Sequence, residues 1–247
     1  MQTACLTIGG SDSCGSAGIQ ADLAIFHQAG VHGCSVITAL TAQNPREIRR
    51  IEPVSCAQIA AEIAAIADYY PIGAIKTGML VDAERIVAVA DGIAAHFPHT
   101  ALVIDPVMVA SSGRRLLSEA AVDALIHHLI PHATLITPNM EEAAVLLGHP
   151  VQDATSDART LAAQFGCAVL LKGGHGAGSA IADTLAQADG AITHHNSVRL
   201  PLTLDQAHGT GCRAAAAIAA AIALGTPLGD TLPIAHHAAI DGIQIRA

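Results

Sequence analysis

Only two lysines, Lys76 and Lys172, occur in this chain of 247 residues. Each directly follows a short apolar run and precedes a small residue, in Ala74-Ile75-Lys76-Thr77-Gly78 and Leu170-Leu171-Lys172-Gly173-Gly174. Two further apolar runs end in polar groups: Leu102-Val103-Ile104-Asp105-Pro106 and Leu135-Ile136-Thr137-Pro138-Asn139. If these runs are parallel strands, their carboxyl ends share one rim, which is where open α/β sheets bind ligands. Two cations, a carboxylate and an amide then converge, with both lysines of the chain spent there. A fifth segment, His208-Gly209-Thr210-Gly211-Cys212, opens a helix rich in Ala and Ile. Unpaired N–H groups and the positive dipole end make such a helix start an anion site, and glycine lets the backbone approach the anion closely. Cys212 falls in the first turn, where the dipole is expected to lower its thiol pKa and fit it to act as nucleophile or base.

The turn has rival readings. Gly209-Thr210-Gly211-Cys212-Arg213-Ala214 satisfies the GxGxxA form of a dinucleotide fingerprint. That motif needs an apolar strand before it and a strand bearing an acidic ribose ligand after it. Leu204–Ala207 is a poor strand, and only a final helix follows. Cys212 with His208 nearby would suit a cysteine hydrolase, although an i, i+4 pair straddling a turn need not be in contact. A small buried residue at a tight helix start is the bland alternative. The first loop, Gly9 to Gly18, also joins a strand to a helix, but it lacks both the GxGxxG spacing and the GK[ST] of a P-loop. Asp12 in that loop is available for a polar contact with a ligand. No Walker motif occurs, so nucleotide chemistry must run on another scaffold.

The elements that position these groups follow from the apolar pattern. Strands are expected at Thr3–Ile8, Cys34–Leu40, Ala74–Lys76, Ala101–Asp105, Thr134–Thr137 and Ala168–Lys172. Helices are expected over Ala17–Gln28, Ser55–Tyr69, Ala83–His96, Glu119–Leu129, Glu141–Leu147, Ser156–Phe165, Gly211–Leu224 and Leu228–Ile243. Ser179–Leu202 reads as two or three strands joined by turns, with no crossover helix. Alternating elements imply a mostly parallel sheet covered on both faces. The consecutive late strands disfavour a closed barrel, which needs a helix after each strand. The fold class is therefore an open α/β sandwich with an antiparallel edge, expected as a single domain over 1–247.

Composition bounds the partners. Half of the chain is hydrophobic, at 51%, but aromatics are only 2% and Trp is absent, so Ala, Ile, Leu and Val must fill the core. A net charge of −9 argues against nucleic acid or an anionic membrane as a main partner. Positive charge for a phosphate must then be placed locally. Met1–Gly10 reads as a strand rather than a signal peptide. The longest apolar run, Ala214–Leu224, is shorter than the roughly 18–20 residues that span a bilayer. The six cysteines are dispersed without zinc spacing, which fits reduced thiols and a cytoplasmic location. The fourteen histidines include no HExxH geometry.

Taken in order, eight segments resemble the hydroxymethylpyrimidine and phosphomethylpyrimidine kinases of thiamine biosynthesis, within the ribokinase-like superfamily. They are Ile8–Asp12, Ala17–Asp22, Ser35–Asn44, Lys76–Leu80, Asp105–Val109, Thr137–Asn139, Leu171–His175 and His208–Cys212. The resemblance runs through nearly the whole chain and implies a ribokinase-like α/β/α sandwich. It also implies Mg2+ and ATP, and two successive phosphorylations of 4-amino-5-hydroxymethyl-2-methylpyrimidine, with a homodimer as the favoured assembly. By the same match Gln43 would read the pyrimidine edge, Gly10, Met79 and Val107 would line the ring pocket, and Asp22 falls among the substrate-binding positions. Asp105, Asn139, Lys172 and Arg213 would face the nucleotide. Glu142 and Asp105 would serve magnesium, with Asn139 orienting the metal and its waters. The amides of Gly209, Thr210 and Gly211 would form the anion hole, and Cys212 would accept the hydroxyl proton. A pyridoxine or pyridoxal kinase is the runner-up; a cysteine hydrolase and a non-catalytic pyrimidine-binding protein stand for other classes.

Three departures from the family pattern concern the nucleotide side. Ser111 stands where related sequences often have Lys, Gln206-Ala207 replaces Asn-Thr before the glycine turn, and Arg213 replaces the Thr that commonly follows the cysteine. Arg213 could restore the cation missing at Ser111. The turn's late position, the poor strand before it and the polar rim together leave the anion hole as its reading.

Overall fold

Period-two alternation decides the two faces of the sheet. Ala4, Leu6 and Ile8 pack into one buried cluster and Cys5 into another. The same split separates Leu102 and Ile104 from Val103, and Val169 and Leu171 from Ala168 and Leu170. Strands that are apolar on both faces need cover on both. The computed structural model, which describes residues 3–109, 116–173, 180–198, 203 and 208–244, provides it.

The strands are β1 (Ala4–Asp12), β2 (His32–Asn44), β3 (Glu47–Pro53), β4 (Ile72–Thr77), β5 (Ala101–Ile104), β6 (Leu135–Ile136), β7 (Ala168–Leu171), β8 (Ala180–Ala186) and β9 (Ile192–Val198). They form one open sheet in the order β3-β2-β1-β4-β5-β6-β7-β8-β9. The six strands from β2 to β7 are parallel, and β8 and β9 continue antiparallel as expected. A second antiparallel edge was not expected: β3 pairs with the end of β2, and the register shifts at Ala42/Gln43. β3 is largely exposed and charged, so no apolar alternation announced it.

Helices α1 (Gly18–Gln28), α7 (Thr210–Ala223) and α8 (Leu232–Gln244) cover one face. The other face carries α2 (Cys56–Ala67), α3 (Ala83–His96), α4 (Glu119–Ala124), α5 (Met140–Leu147) and α6 (Ala154–Phe165). Caps set the boundaries. Ser55, Asp82, Ser118 and Asp153 each accept a backbone N–H in the first turn of their helix. α4 is shorter than expected because it widens into a π turn over Leu125–Leu129. α8 begins four residues late, since a 3-10 turn at Leu228–Asp230 precedes it. The buried alanines Ala215–Ala217 and Ala219–Ala221 bring α7 close to the sheet. Its first turn therefore arrives at the carboxyl ends of the central strands. Among the described residues, no helix is long and apolar enough to cross a membrane.

Candidate active site

The rim is built by hydrogen bonds that continue the parallel ladder beyond the strands. Gly78 N–H donates to Ile8 O, Asp105 N–H to Thr77 O, Thr137 N–H to Ile104 O and Lys172 N–H to Pro138 O, each at 2.9 Å. These contacts fix the segments after β4, β5, β6 and β7 side by side. Lys172 Nζ donates to Asp105 Oδ1 at 2.9 Å. Gly211, in the first turn of α7, lies against the same ammonium: a Cβ there would stand 3.4 Å from Lys172 Nζ. Cys212 lies close enough to the Asp105 carboxylate and the Gly18 N–H for carboxylate and thiol to act on each other's ionisation and for the N–H to act on the thiol's. The structure thus brings Asp105, Lys172, Gly211 and Cys212 into one cluster.

Gly209 caps α7 with φ +79°, a left-handed conformation that glycine adopts without strain. A Cβ there would collide with Ser16 O, because the turn is pressed onto the β1–α1 loop. That loop is organised by Asp12, which accepts the N–H groups of Cys14, Ser16 and Ala17 at 3.0, 2.9 and 2.8 Å. Burial raises the Asp12 pKa, but His208 and these N–H groups outweigh it and hold the carboxyl well below its usual range. Asp12, expected as a free ligand contact, is instead committed to its own loop.

Lys76 also differs from the reading of the sequence. It is fully buried and pairs with Asp22, at 2.8 and 3.0 Å, while Thr7 Oγ1 donates to Asp22 Oδ2 at 2.6 Å. Burial alone would lower the lysine pKa; Asp22 foremost, then Cys212 and Asp105, hold it above the usual value. Lys76 lies beneath the rim rather than on it. Asp22, expected at the substrate, is its buried counter-ion. The distance in sequence between the partners, 54 residues, hid the pair.

The expected low thiol pKa at Cys212 is overturned. Burial pushes it up to about 11; Lys76 pulls down, but Asp105 and Asp22 push up further. The helix dipole was legible in the sequence. The two carboxylates, from α1 and from the segment after β5, were not.

Asn139 caps α5: its Oδ1 accepts the N–H groups of Glu141 and Glu142, both at 2.9 Å. Glu142 reciprocates by accepting Asn139 N–H at 2.9 Å, completing a capping box, and it accepts Met108 N–H at 3.3 Å. Burial raises the Glu142 carboxyl to about 7, with Lys172 lowering it and Asp105 raising it. Two neighbouring carboxyl groups, Glu142 made costly to ionise chiefly by burial and further by Asp105, share the charge of one lysine. Such an oxygen-rich, under-neutralised pair fits a hard divalent cation.

On the other side of the rim, Gly10 allows Met79 to lie against β1, since a Cβ there would meet Met79 Cε at 2.7 Å. Thr38 Oγ1 donates to Met79 O at 2.6 Å and ties this segment to β2. At the end of β2, Ser13 Oγ donates to Gln43 O and accepts from Gln43 N, both at 2.9 Å, a pair of contacts that sequence reading missed. Gln43, Met79 and Val107 are half-buried. Arg213 is 6% exposed on α7, so its cation is enclosed rather than displayed to solvent. Ser111, His175, Gln206 and Ala207 lie outside the described residues.

The family model described as phosphomethylpyrimidine kinase matches residues 12–244. The chain is 42% identical to a hydroxymethylpyrimidine/phosphomethylpyrimidine kinase from Rhizobium meliloti, covering 97% of this chain and 91% of that protein. It is 43% identical to a thiamine biosynthesis bifunctional protein ThiED from Geobacter sulfurreducens, over 92% of this chain and 46% of that longer protein. Among solved structures, a phosphomethylpyrimidine kinase from Clostridium difficile superposes with a TM-score of 0.84 at 34% identity, covering 98% and 100% of the two chains. The ADP complex of Bacillus subtilis pyridoxal kinase gives a TM-score of 0.86 at 31% identity, covering 96% and 90%.

Proposed function

The chain belongs to the phosphomethylpyrimidine kinase family, and from that premise we propose the part each residue plays in its reaction. It is an ATP-dependent kinase of thiamine biosynthesis that phosphorylates 4-amino-5-hydroxymethyl-2-methylpyrimidine and then the monophosphate. The observation that carries the assignment of roles is the convergence of Lys172, Asp105, Cys212 and the Gly209–Gly211 turn at the carboxyl ends of β5, β7 and β1.

Phosphoryl transfer passes through a loose transition state whose charge sits on the equatorial oxygens, so positioning and neutralisation matter more than a strong base. The amides of Gly209, Thr210 and Gly211 donate to the transferring phosphoryl at the positive end of α7. Lys172, adjacent to that turn, contacts the nucleotide phosphates, and Asn139 stands beside it through the bridge between their strands' ends. Asp105 and Glu142 would hold Mg2+, directly or through its waters. Bound there, the metal supplies neutralisation of phosphate charge. Gln43 hydrogen-bonds the pyrimidine edge, and Gly10, Met79 and Val107 line the ring. Cys212 accepts the hydroxyl proton as its thiolate, the minority form of a thiol pushed up to about 11, so its own proton must first pass to solvent and the competent fraction of enzyme grows with pH. Asp22 and Lys76 set the charge beneath Cys212 without touching substrate. One sheet running from β3 to β9 supports a single kinase domain over 1–247.

Pyridoxal kinase activity is the second reading, favoured by the fold of the Bacillus subtilis enzyme. A coupled ADP-release assay with hydroxymethylpyrimidine, its monophosphate, pyridoxal or no acceptor separates the two. ADP release with both pyrimidines above the no-acceptor rate supports the assignment; release with pyridoxal alone overturns it.

A further inference from the structure

Outside the phosphoryl-transfer cluster, a carboxylate, a thiol and an imidazole from two separate loops meet where the β1–α1 loop abuts the turn before α7. Their donor atoms, on Asp12, Cys14 and His208, all lie within 4.8 Å of one another. Cys14 Sγ stands 3.1 and 3.2 Å from the Asp12 carboxylate oxygens, and His208 Nε2 stands 3.8 Å from Asp12 Oδ2. Asp12 and His208 are buried, whereas Cys14 is exposed and gives access from solvent.

We propose that Asp12, Cys14 and His208 form a three-ligand site for a soft divalent transition metal of the zinc class, which ties the β1–α1 loop to the glycine turn. The ligand set carries the choice of metal. Thiolate and imidazole favour zinc-like ions over magnesium or calcium, and three protein ligands leave a fourth position for water. The geometry agrees to within a side-chain adjustment. Zinc bonds of about 2.0 Å to oxygen, about 2.0–2.1 Å to nitrogen and about 2.3 Å to sulfur give tetrahedral edges of roughly 3.3–3.6 Å. The measured sulfur–oxygen and nitrogen–oxygen separations, 3.1–3.2 and 3.8 Å, bracket that range. Asp12 is already oriented by the N–H groups of Cys14, Ser16 and Ala17, the kind of supporting hydrogen bonding that metal ligands require. Coordination replaces the Cys14 S–H bond by a metal–sulfur bond, and one proton leaves to solvent for each ion bound. Because His208 directly precedes Gly209, an occupied site pins the β1–α1 loop against the anion-binding turn.

The test is titration of the full chain with Co2+, in nucleotide-free and Mg2+-free buffer, reading the ultraviolet thiolate-to-metal charge-transfer band and the visible ligand-field bands. One equivalent should bind with both signatures, and Zn2+ should displace it. Cys56→Ser, which alters a partly exposed cysteine elsewhere, should titrate like the unmodified chain. Cys14→Ser, at an exposed position, should fold and lose the charge-transfer band; His208→Asn should weaken binding at least tenfold. In parallel, Zn2+ should raise the Tm of the unmodified protein and not that of Cys14→Ser. A charge-transfer band that persists in Cys14→Ser, its absence from the unmodified chain, or unchanged affinity in His208→Asn would each overturn the site.

Discussion

Gly209→Ala isolates the anion turn from general stability, because a second glycine offers the matching control. Gly209 and Gly166 both have left-handed φ values, +79° and +67°. A methyl group at Gly166, after α6, meets nothing within 4 Å, whereas at Gly209 it strikes Ser16 O and lies 3.1 Å from Ala17 Cα. Holding alanine in this region costs about 1–2 kcal/mol at either site. At Gly209 the turn must also retreat by roughly an ångström to reach ordinary van der Waals separation. Displacing positioned groups by about 1 Å costs on the order of 100-fold in rate, or about 2.7 kcal/mol of transition-state stabilisation. Gly209→Ala should therefore lose at least as much Tm as Gly166→Ala, but kcat/KM should stay near normal in Gly166→Ala and fall about 100-fold in Gly209→Ala. Thermal melts and the coupled ADP assay read the two effects separately. Gly209→Ala keeping kcat/KM within about threefold of the unmodified enzyme would refute the placement of the turn at the phosphoryl group.

Three further outcomes test the buried charges. Asp22→Asn strands the Lys76 ammonium and should cost about 3–5 kcal/mol in urea unfolding, while Asp22→Leu with Lys76→Met should recover most of it; a single-variant loss under about 1 kcal/mol would contradict the buried pair. Glu142, raised from 4.5 to about 7, favours the protonated form in the folded state, so its contribution is fully present below pH 4.5 and is lost as pH rises through 7. Glu142→Gln should thus gain on the unmodified protein by on the order of 2–3 kcal/mol between pH 5 and pH 8 in Mg2+-free buffer, and equal denaturation midpoint differences at both pH values would reject the shift. Cys212→Ser should lower kcat by about 100-fold or more with little change in KM. The rate of the unmodified enzyme should rise with pH through 8–9, as a thiol pushed up to about 11 begins to ionise, and the variant should lose that slope; a flat profile before substitution rules out Cys212 as the base.

Which features were legible in the sequence follows from how local their causes are. α3 begins and ends where periodicity and the Asp82 cap place it, at Ala83 and His96, because those signals lie within the helix itself. The parallel core was readable for the same reason: each strand carries apolar residues on both faces. β3 was not readable, since Glu47–Pro53 faces solvent and is held by its backbone ladder to β2. At the site, sequence found the rim positions and the helix start but not their pairing. Lys76 and Lys172 look alike beside their strands, yet Asp22 buries one and Asp105 holds the other at the rim. The Cys212 shift reversed sign for the same reason: the dipole is local, while the opposing carboxylates arrive from α1 and from beyond β5.

The central claim, that this site phosphorylates a hydroxymethylpyrimidine twice, is tested most directly by product analysis. Hydroxymethylpyrimidine is incubated with excess ATP and Mg2+, and products are identified by mass spectrometry and phosphorus NMR against a parallel incubation with pyridoxal. The account predicts conversion through the monophosphate to the diphosphate, with two ADP formed per pyrimidine consumed. Recovery of unmodified pyrimidine while pyridoxal becomes its phosphate would contradict it.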